Sequence, residues 1–258
     1  MISLLRKIRK GFLESGKVKS YLLYAIGEIT LVVIGILIAL QINNWNEEYK
    51  DRQLEKQYYC KLLEDVKQDE ILLNKLMGEA QQRIGWVNKS IHILQQEQVN
   101  RRELANAMMG SIFFIRFNFK PSSSAFDDLK SSGKLGTLKD VELKEKLLNY
   151  YAVLNGYGDI QDIVADASLD IYMNASKDFL QAGFPQISFV KDELDKTLVD
   201  TLKLYPNTPL PNEVREKLLN EAILHLNTNA RKKGVFKLME SEITSMKSLL
   251  EKKCTQSQ

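Results

Sequence analysis

Apolar residues fill one early stretch of the chain and recur at helical spacing through most of the remainder. Between Lys19 and Glu47 the only charged residue is Glu28, and the run Leu22 to Ile42, at about 1.5 Å per helical residue, is long enough to cross a hydrocarbon layer of ~30 Å. This predicts a transmembrane helix. Its apolar core exceeds the ~7–15 residues of a secretory signal peptide and runs into Gln41-Ile42-Asn43-Asn44-Trp45, not a small-x-small cleavage site, so the segment is expected to stay attached. Tyr21, Tyr24 and Trp45 at its ends suit interfacial aromatic belts. Ahead of it, Met1, Leu4, Leu5, Ile8 and Phe12 share a helical face opposite Arg6, Lys7, Arg9 and Lys10. That is the pattern of a helix on an anionic membrane surface, or of a simple solvated basic flank.

Past the span, apolar residues follow coiled-coil spacing: Tyr59, Leu63, Val66, Leu73, Met77, Ala80, Ile84, Val87, Ile91 and Leu94, with Glu70 as the one interruption. Nothing at Asn43–Trp45 forces a break, so the membrane helix is expected to continue to near residue 98. A second series runs Leu147, Tyr151, Leu154, then Ile160, Val164, Ala167, Ile171, Ala175 and Phe179, with a kink expected at Gly156 and Gly158 and a stop at Gly183 and Pro185. A last helix is predicted after Pro211 with Asn212 as N-cap, burying Leu219, Ala222, Leu226, Ala230, Phe236, Met239, Ile243, Met246 and Leu250, and bending at Gly234. Three long amphipathic helices are not stable singly, so the fold class is all-α, an antiparallel bundle of long helices.

Five of the ten phenylalanines lie between Phe113 and Phe126. Phe113, Phe114, Phe117 and Phe119 form either the core of a small cap over about residues 100–138, at the far end from the membrane, or a partly exposed contact patch; their alternation with polar residues also permits a short strand. A capping box from Ser124 to Asp127 would start a short helix that ends at Gly133.

Charge changes the picture at one end. The 258 residues carry a net +3, yet the first twenty hold six basic residues against Glu14, a local +5 that leaves −2 elsewhere. The positive-inside rule then puts the N-terminus in the cytoplasm and the larger domain outside. A near-neutral remainder without basic runs argues against nucleic acid as a partner. With only 5 Pro and 13 Gly, long uninterrupted helices are favoured over an all-β fold. The expected divisions are 1–20 (basic tail), 21–42 (membrane helix) and 43–258 (helical outer domain).

Within the span, Glu28 lies roughly 9 Å into the bilayer, where an ionised carboxylate costs on the order of 3 kcal/mol or more. At ~100° per residue it shares a face with Gly35 and Ala39, a small-xxx-small pair that suits a helix–helix contact. The alternative is a protonated or shallow Glu28 near Lys17 or Lys19.

The stretches Tyr21-Leu-Leu-Tyr-Ala-Ile-Gly-Glu-Ile29 and Leu31-Val-Val-Ile-Gly-Ile-Leu-Ile-Ala-Leu-Gln-Ile-Asn-Asn-Trp-Asn-Glu-Glu48, and later Pro121-Ser-Ser-Ser-Ala-Phe-Asp-Asp-Leu-Lys-Ser-Ser-Gly-Lys-Leu135, resemble the signatures of a family of uncharacterised single-pass membrane proteins of Bacteroidota. The resemblance implies a Gram-negative inner membrane and a periplasmic domain. It implies no activity.

Catalytic and metal chemistry finds no foothold. His92 and His225 lack a Cys or second His at ligand spacing, and His92 is expected to flank a helix seam. Ser131-Ser-Gly-Lys134 fits S-x-x-K, but without the companion S-D-N and K-T-G elements; Gly133-Lys134 lacks the rest of a phosphate loop. Acid pairs such as Glu64/Asp65 and Asp127/Asp128 read as solvated faces and caps. Cys60 and Cys254 would meet an oxidising compartment, but an intramolecular bridge needs the last helix to return toward Cys60. Three passes would carry it the other way, unless residues 187–204 add one, so an intermolecular bridge or free thiols are favoured. The expected function is therefore non-enzymatic, without cofactor or metal: a scaffold or interaction component in the lipid bilayer, associating with itself or another membrane protein through Glu28, Gly35 and Ala39. The alternative is a small-ligand sensor that signals through a membrane partner.

Overall fold

The computed structural model describes residues 18–176, 192–200, 203–204 and 209–255. The expected tail helix, Met1 to Phe12, and the stop at Gly183 and Pro185 lie outside them. Among the described residues five α-helices carry the fold: α1 Val18–Leu94, α2 Arg101–Ile112, α3 Ser124–Ser131, α4 Val141–Ile171 and α5 Asn212–Thr255. A 3-10 turn, Lys134–Thr137, precedes α4 and a π-helical turn, Tyr172–Ser176, follows it. No strand occurs among the described residues, so the segment at Phe113–Phe119 is not one.

The chain forms two compact units, residues 1–56 and 57–258. In the first, the described part is a single helix whose side chains from Ile26 to Gln53 are all exposed. Thr30 returns its hydroxyl to the carbonyl of Ile26 at 2.8 Å and Asn43 donates to Glu47 at 3.1 Å, so these polar groups find partners within the helix itself. Among the described residues one helix is long and apolar enough to span a membrane.

Among its described residues the second unit is an antiparallel bundle with four passes, not three. Paired residues fix each direction. Between α1 and α5, Cys60 meets Cys254, Glu70 meets Lys247 at 2.7 Å, and Arg83 meets Asn229 at 2.9 Å, so these two helices run antiparallel. α4 runs parallel to α1: Tyr150 bonds Asp69 at 2.6 Å, and Tyr172 joins the cluster that holds Ile93 and Leu94. Residues 101–131 supply the remaining pass, with Phe113 beside Arg83, Ser122 beside Asp69, Ala125 beside Asp65 and Tyr58 beside Asp128.

That pass corrects two expectations. The segment 100–138 does not sit as a cap at one end but returns along the bundle, and its return reverses the last helix. Cys60 and Cys254 are therefore joined by an intramolecular disulfide, with Cα atoms 5.1 Å apart, and not left to an intermolecular bridge or as free thiols.

The seams explain themselves by spacing. On α1 the buried positions Tyr59, Leu62, Val66, Asp69, Leu73, Leu76, Ala80, Arg83, Val87, Ser90 and Leu94 alternate steps of three and four, the heptad rule for a straight packed stripe. α4 keeps the same stripe through Leu143, Leu147, Tyr150, Leu154, Gln161, Val164 and Ser168, and the helix is unbroken at Gly156 and Gly158. Of the series expected from Ile160, Val164 is buried and Ile171 half-buried, but Ile160 and Ala167 are exposed and Gln161 is buried instead. α5 buries Leu218, Ala222, His225, Asn229, Lys232, Phe236, Met239, Ile243, Met246 and Leu250. Its first half thus turns a polar face inward, leaving Leu219 and Leu226 partly exposed and Ala230 exposed, against the sequence expectation.

Helix ends are held by named groups. Asn100 and Asp140 accept from the backbone N–H of Glu103 and Leu143, capping α2 and α4. Arg215, from the start of α5, donates to the carbonyls of Leu94, Gln96 and Glu97, which α1 leaves open where it stops. Asn212 lies inside α5 and the carbonyl of Pro211 takes the first helical bond, so the cap is one residue earlier than expected. At α3 the expected box from Ser124 is replaced by Ser123, whose hydroxyl donates to Asp127 at 2.6 Å. Gly133, at φ 70°, follows the end of α3 as expected.

Candidate functional site: a polar layer and the turn it braces

Polar side chains occupy core positions for a reason that lies in the second pass. From Phe113 to Ser123 this pass leaves the helix, so its backbone groups lose their i to i−4 partners, while Ile115 and Phe119 stay buried in the bundle. Buried peptide groups must be paired. Two sets of side chains provide the partners.

The first set is acidic and supplies acceptors. Asp69 receives the N–H of Ser122 at 2.6 Å and the hydroxyl of Tyr150 at 2.6 Å. Asp65 receives the N–H of Ala125 at 2.8 Å and the hydroxyl of Ser124 at 2.7 Å, so a carboxylate on α1 caps the N-terminus of α3. Burial pushes Asp69 up to about 6, against the lowering effect of its two hydrogen bonds. The buried Tyr150 and Tyr151 hydroxyls are pushed upward too, by burial first and by the neighbouring acids second. Tyr151 bonds the carbonyl of Ser122 at 3.2 Å and stacks on Phe126 at 4.2 Å.

The second set supplies donors, one helical turn or more further along. Asn229 donates to the carbonyl of Ser111 at 2.9 Å and accepts from Arg83. Arg83 reaches the carbonyl of Phe113 at 3.5 Å. Lys232 donates to the carbonyls of Ile115 and Phe117 and to the side chain of Asn118. Burial, with the positive charge of Arg83 adding to it, lowers Lys232 to about 7. Above these residues Glu221 lies 3.4 Å from His225, both wholly inside the bundle. Gln161, Ser168, Arg83 and His225 each keep one buried polar atom with no hydrogen-bond partner among the described residues.

The turn so held divides the predicted aromatic patch. Phe119 and Ile115 are buried, Phe113 is half-buried, and Phe114 and Phe117 stand outside with 47% and 53% of their surface exposed. Phe114 has φ 54°, a left-handed backbone that costs a bulky residue roughly 1–2 kcal/mol. At the other predicted site, Glu28, Gly35 and Ala39 share one exposed helical face of α1. A Cβ added at Gly35 would touch nothing, and Glu28 makes no hydrogen bond or ion pair with the described residues. His92 is exposed, and no group of three metal-ligating side chains occurs among the described residues. The sequence carried a signal for the polar layer that apolar periodicity passes over: Asp69 and Arg83, and His225, Asn229 and Lys232, fall on the same heptads as the apolar seam.

By fold and site the described residues are all-α, a long apolar N-terminal helix and an antiparallel bundle. The chain belongs to the family of unknown function DUF6090, whose model matches residues 28–164. The match takes in Glu28, the two acceptor carboxylates and the whole second pass, and stops before α5. Comparison with curated proteins gives no match, and neither does comparison with solved structures.

Proposed function

We propose that the chain is a non-enzymatic, single-pass protein of the inner membrane of a Bacteroidota cell, with a cytoplasmic N-terminus and residues 43–258 in the periplasm. It acts as a scaffold or interaction component that associates through the Glu28, Gly35 and Ala39 face of its span. The observation that carries this reading is the exposure of Leu22, Leu23, Ile26, Ile29 and the apolar residues that follow up to Ile42. No element among the described residues covers them, and a surface of this size needs lipid or another helix. The Cys60–Cys254 bridge supports an oxidising compartment for the bundle, in agreement with the basic N-terminal flank. Glu28, without a partner among the described residues, gives the face a polar group that a neighbouring helix would satisfy.

In-membrane crosslinking of the intact protein tests the association. Glu28→Gln and Gly35→Leu are expected to change its crosslinked species, and unchanged oligomer and partner profiles would sink it. A second reading, a small-ligand sensor signalling through a membrane partner, is favoured by the polar atoms of Arg83, Gln161, Ser168 and His225 that lack partners in the bundle. Ligand-dependent thermal shifts lost in Gln161→Leu would favour it.

A further inference from the structure

The braced turn presents more than its backbone. Phe114 and Phe117 stack with ring centroids 4.7 Å apart, and the ring of Phe113 lies 3.9 Å from Phe114. A bulky residue keeps a left-handed backbone only where its surroundings enforce it, and such strain gathers at functional surfaces. Here the enforcement comes from inside, through the donors Arg83 and Lys232 on the carbonyls of Phe113, Ile115 and Phe117. Two large rings are thereby held toward solvent on a rigid support.

Phe117 is also one wall of a groove of about 370 Å³ with Leu72 and Leu76 beneath and Lys75, Arg116 and Lys120 around it. Of the two acids that line it, Glu79, with one oxygen shut off from solvent, lies in electrostatic contact with Arg83 and Lys232, while Asp162 is exposed, accepts from Asn118 and faces the charge of Lys232. Arg116 pairs with Asp166 at 2.6 Å, whereas Lys75 and Lys120 have no ion-pair partner among the described residues. The open face is therefore apolar at its centre, and its rim sets two lysines without an ion-pair partner among the described residues, Lys75 and Lys120, against one exposed carboxylate, Asp162.

We propose that the Phe114/Phe117 turn and its groove dock an extended peptide segment of a partner protein, one that sets an aliphatic or aromatic residue among acidic ones. The rings with Leu72 and Leu76 receive the apolar side chain, and Lys75 and Lys120 meet the carboxylates. Exposed aromatic anchors inside a charged rim are the usual arrangement of such contacts, the rim setting specificity and encounter rate. The inference rests on the reading of the protein as an interaction component but not on its intramembrane face.

Panning a displayed random-heptapeptide library against the full chain in nanodiscs tests it without assuming a partner. Acidic sequences with an apolar residue are expected to be enriched, and their affinity to fall at least tenfold with Phe117→Ser and with Lys75→Glu/Lys120→Glu. An exposed change elsewhere, Leu238→Ser, should leave it unchanged. No enrichment, enrichment of basic peptides, or binding indifferent to the groove variants would overturn the proposal. So would variant-sensitive binding to phosphatidylglycerol vesicles with no selected peptide, which would reassign the face to lipid. Melts of each variant against wild type exclude misfolding as the cause. Glu28→Gln should bind the selected peptides as wild type does, so this result and the crosslinking result can fail separately.

Discussion

Replacing both cysteines, Cys60→Ser with Cys254→Ser, removes the covalent link between the first and last helices of the bundle. The bridge spans a sequence separation of 194, and closing a loop of that length takes roughly 18 cal/mol/K from the unfolded chain, about 5 kcal/mol at 25 °C. The folded end has other holds. Tyr59, Leu62, Leu147 and Leu250 are buried near it, and Lys253 pairs with Asp140 at 2.6 Å, so the double variant is expected to fold with unchanged helical content. For a unit of this size each kcal/mol moves the midpoint by about 2–4 °C, giving a fall on the order of 10–20 °C. Thermal melts followed by circular dichroism, with and without reductant, measure it: reduced wild type should melt with the double variant. On a non-reducing gel the wild type should run as a monomer, faster than the variant. Coincident melts without reductant, or a wild-type dimer that reductant dissolves, would refute the four-pass topology from which the bridge follows.

Asp69→Asn separates the buried carboxylate's charge from its hydrogen bonds. Because burial raises Asp69 from 3.8 to about 6, the folded state binds its proton more tightly, so its contribution is fully present below about pH 4 and is lost as pH rises through 6, by up to ~3 kcal/mol. Urea titrations across that range should show the variant with a flatter pH dependence, and parallel profiles would refute the assignment. Asn229→Leu strips the carbonyl of Ser111 and the guanidinium of Arg83 of a partner and should cost about 2–3 kcal/mol in a denaturant titration; a neutral result would deny the layer its bracing role. Phe114→Gly relieves the left-handed strain but loses the ring contacts, worth roughly 0.5–1.5 kcal/mol, so stability should change little despite the loss of a large aromatic. A loss above ~3 kcal/mol, measured the same way, would mean that Phe114 is a core residue.

Hydropathy and spacing alone determined that the described residues form helices and no strand, that one helix runs on from the apolar stretch, and that Phe236, Met239, Ile243, Met246 and Leu250 line a seam. These follow from local rules, the length of an apolar run and a three-four repeat, which need no knowledge of the neighbour. The first half of α5 was not legible in the same way. Its core positions are His225, Asn229 and Lys232, chosen not by hydrophobicity but by the carbonyls of Ser111, Ile115 and Phe117 across from them. Likewise Ile160 was read as core and Gln161 was passed over. The stretch of the partner pass that demands these polar groups, Phe113 to Ser123, is non-helical and its two helices are short, so no long periodicity announces the pass, and without it the helix count gave three passes and kept the cysteines apart. Only the tertiary structure could decide this. The direction of the last helix, the disulfide and the outward set of Phe114 and Phe117 all depend on where residues 101–131 lie, and that is fixed by hydrogen bonds between segments far apart in sequence.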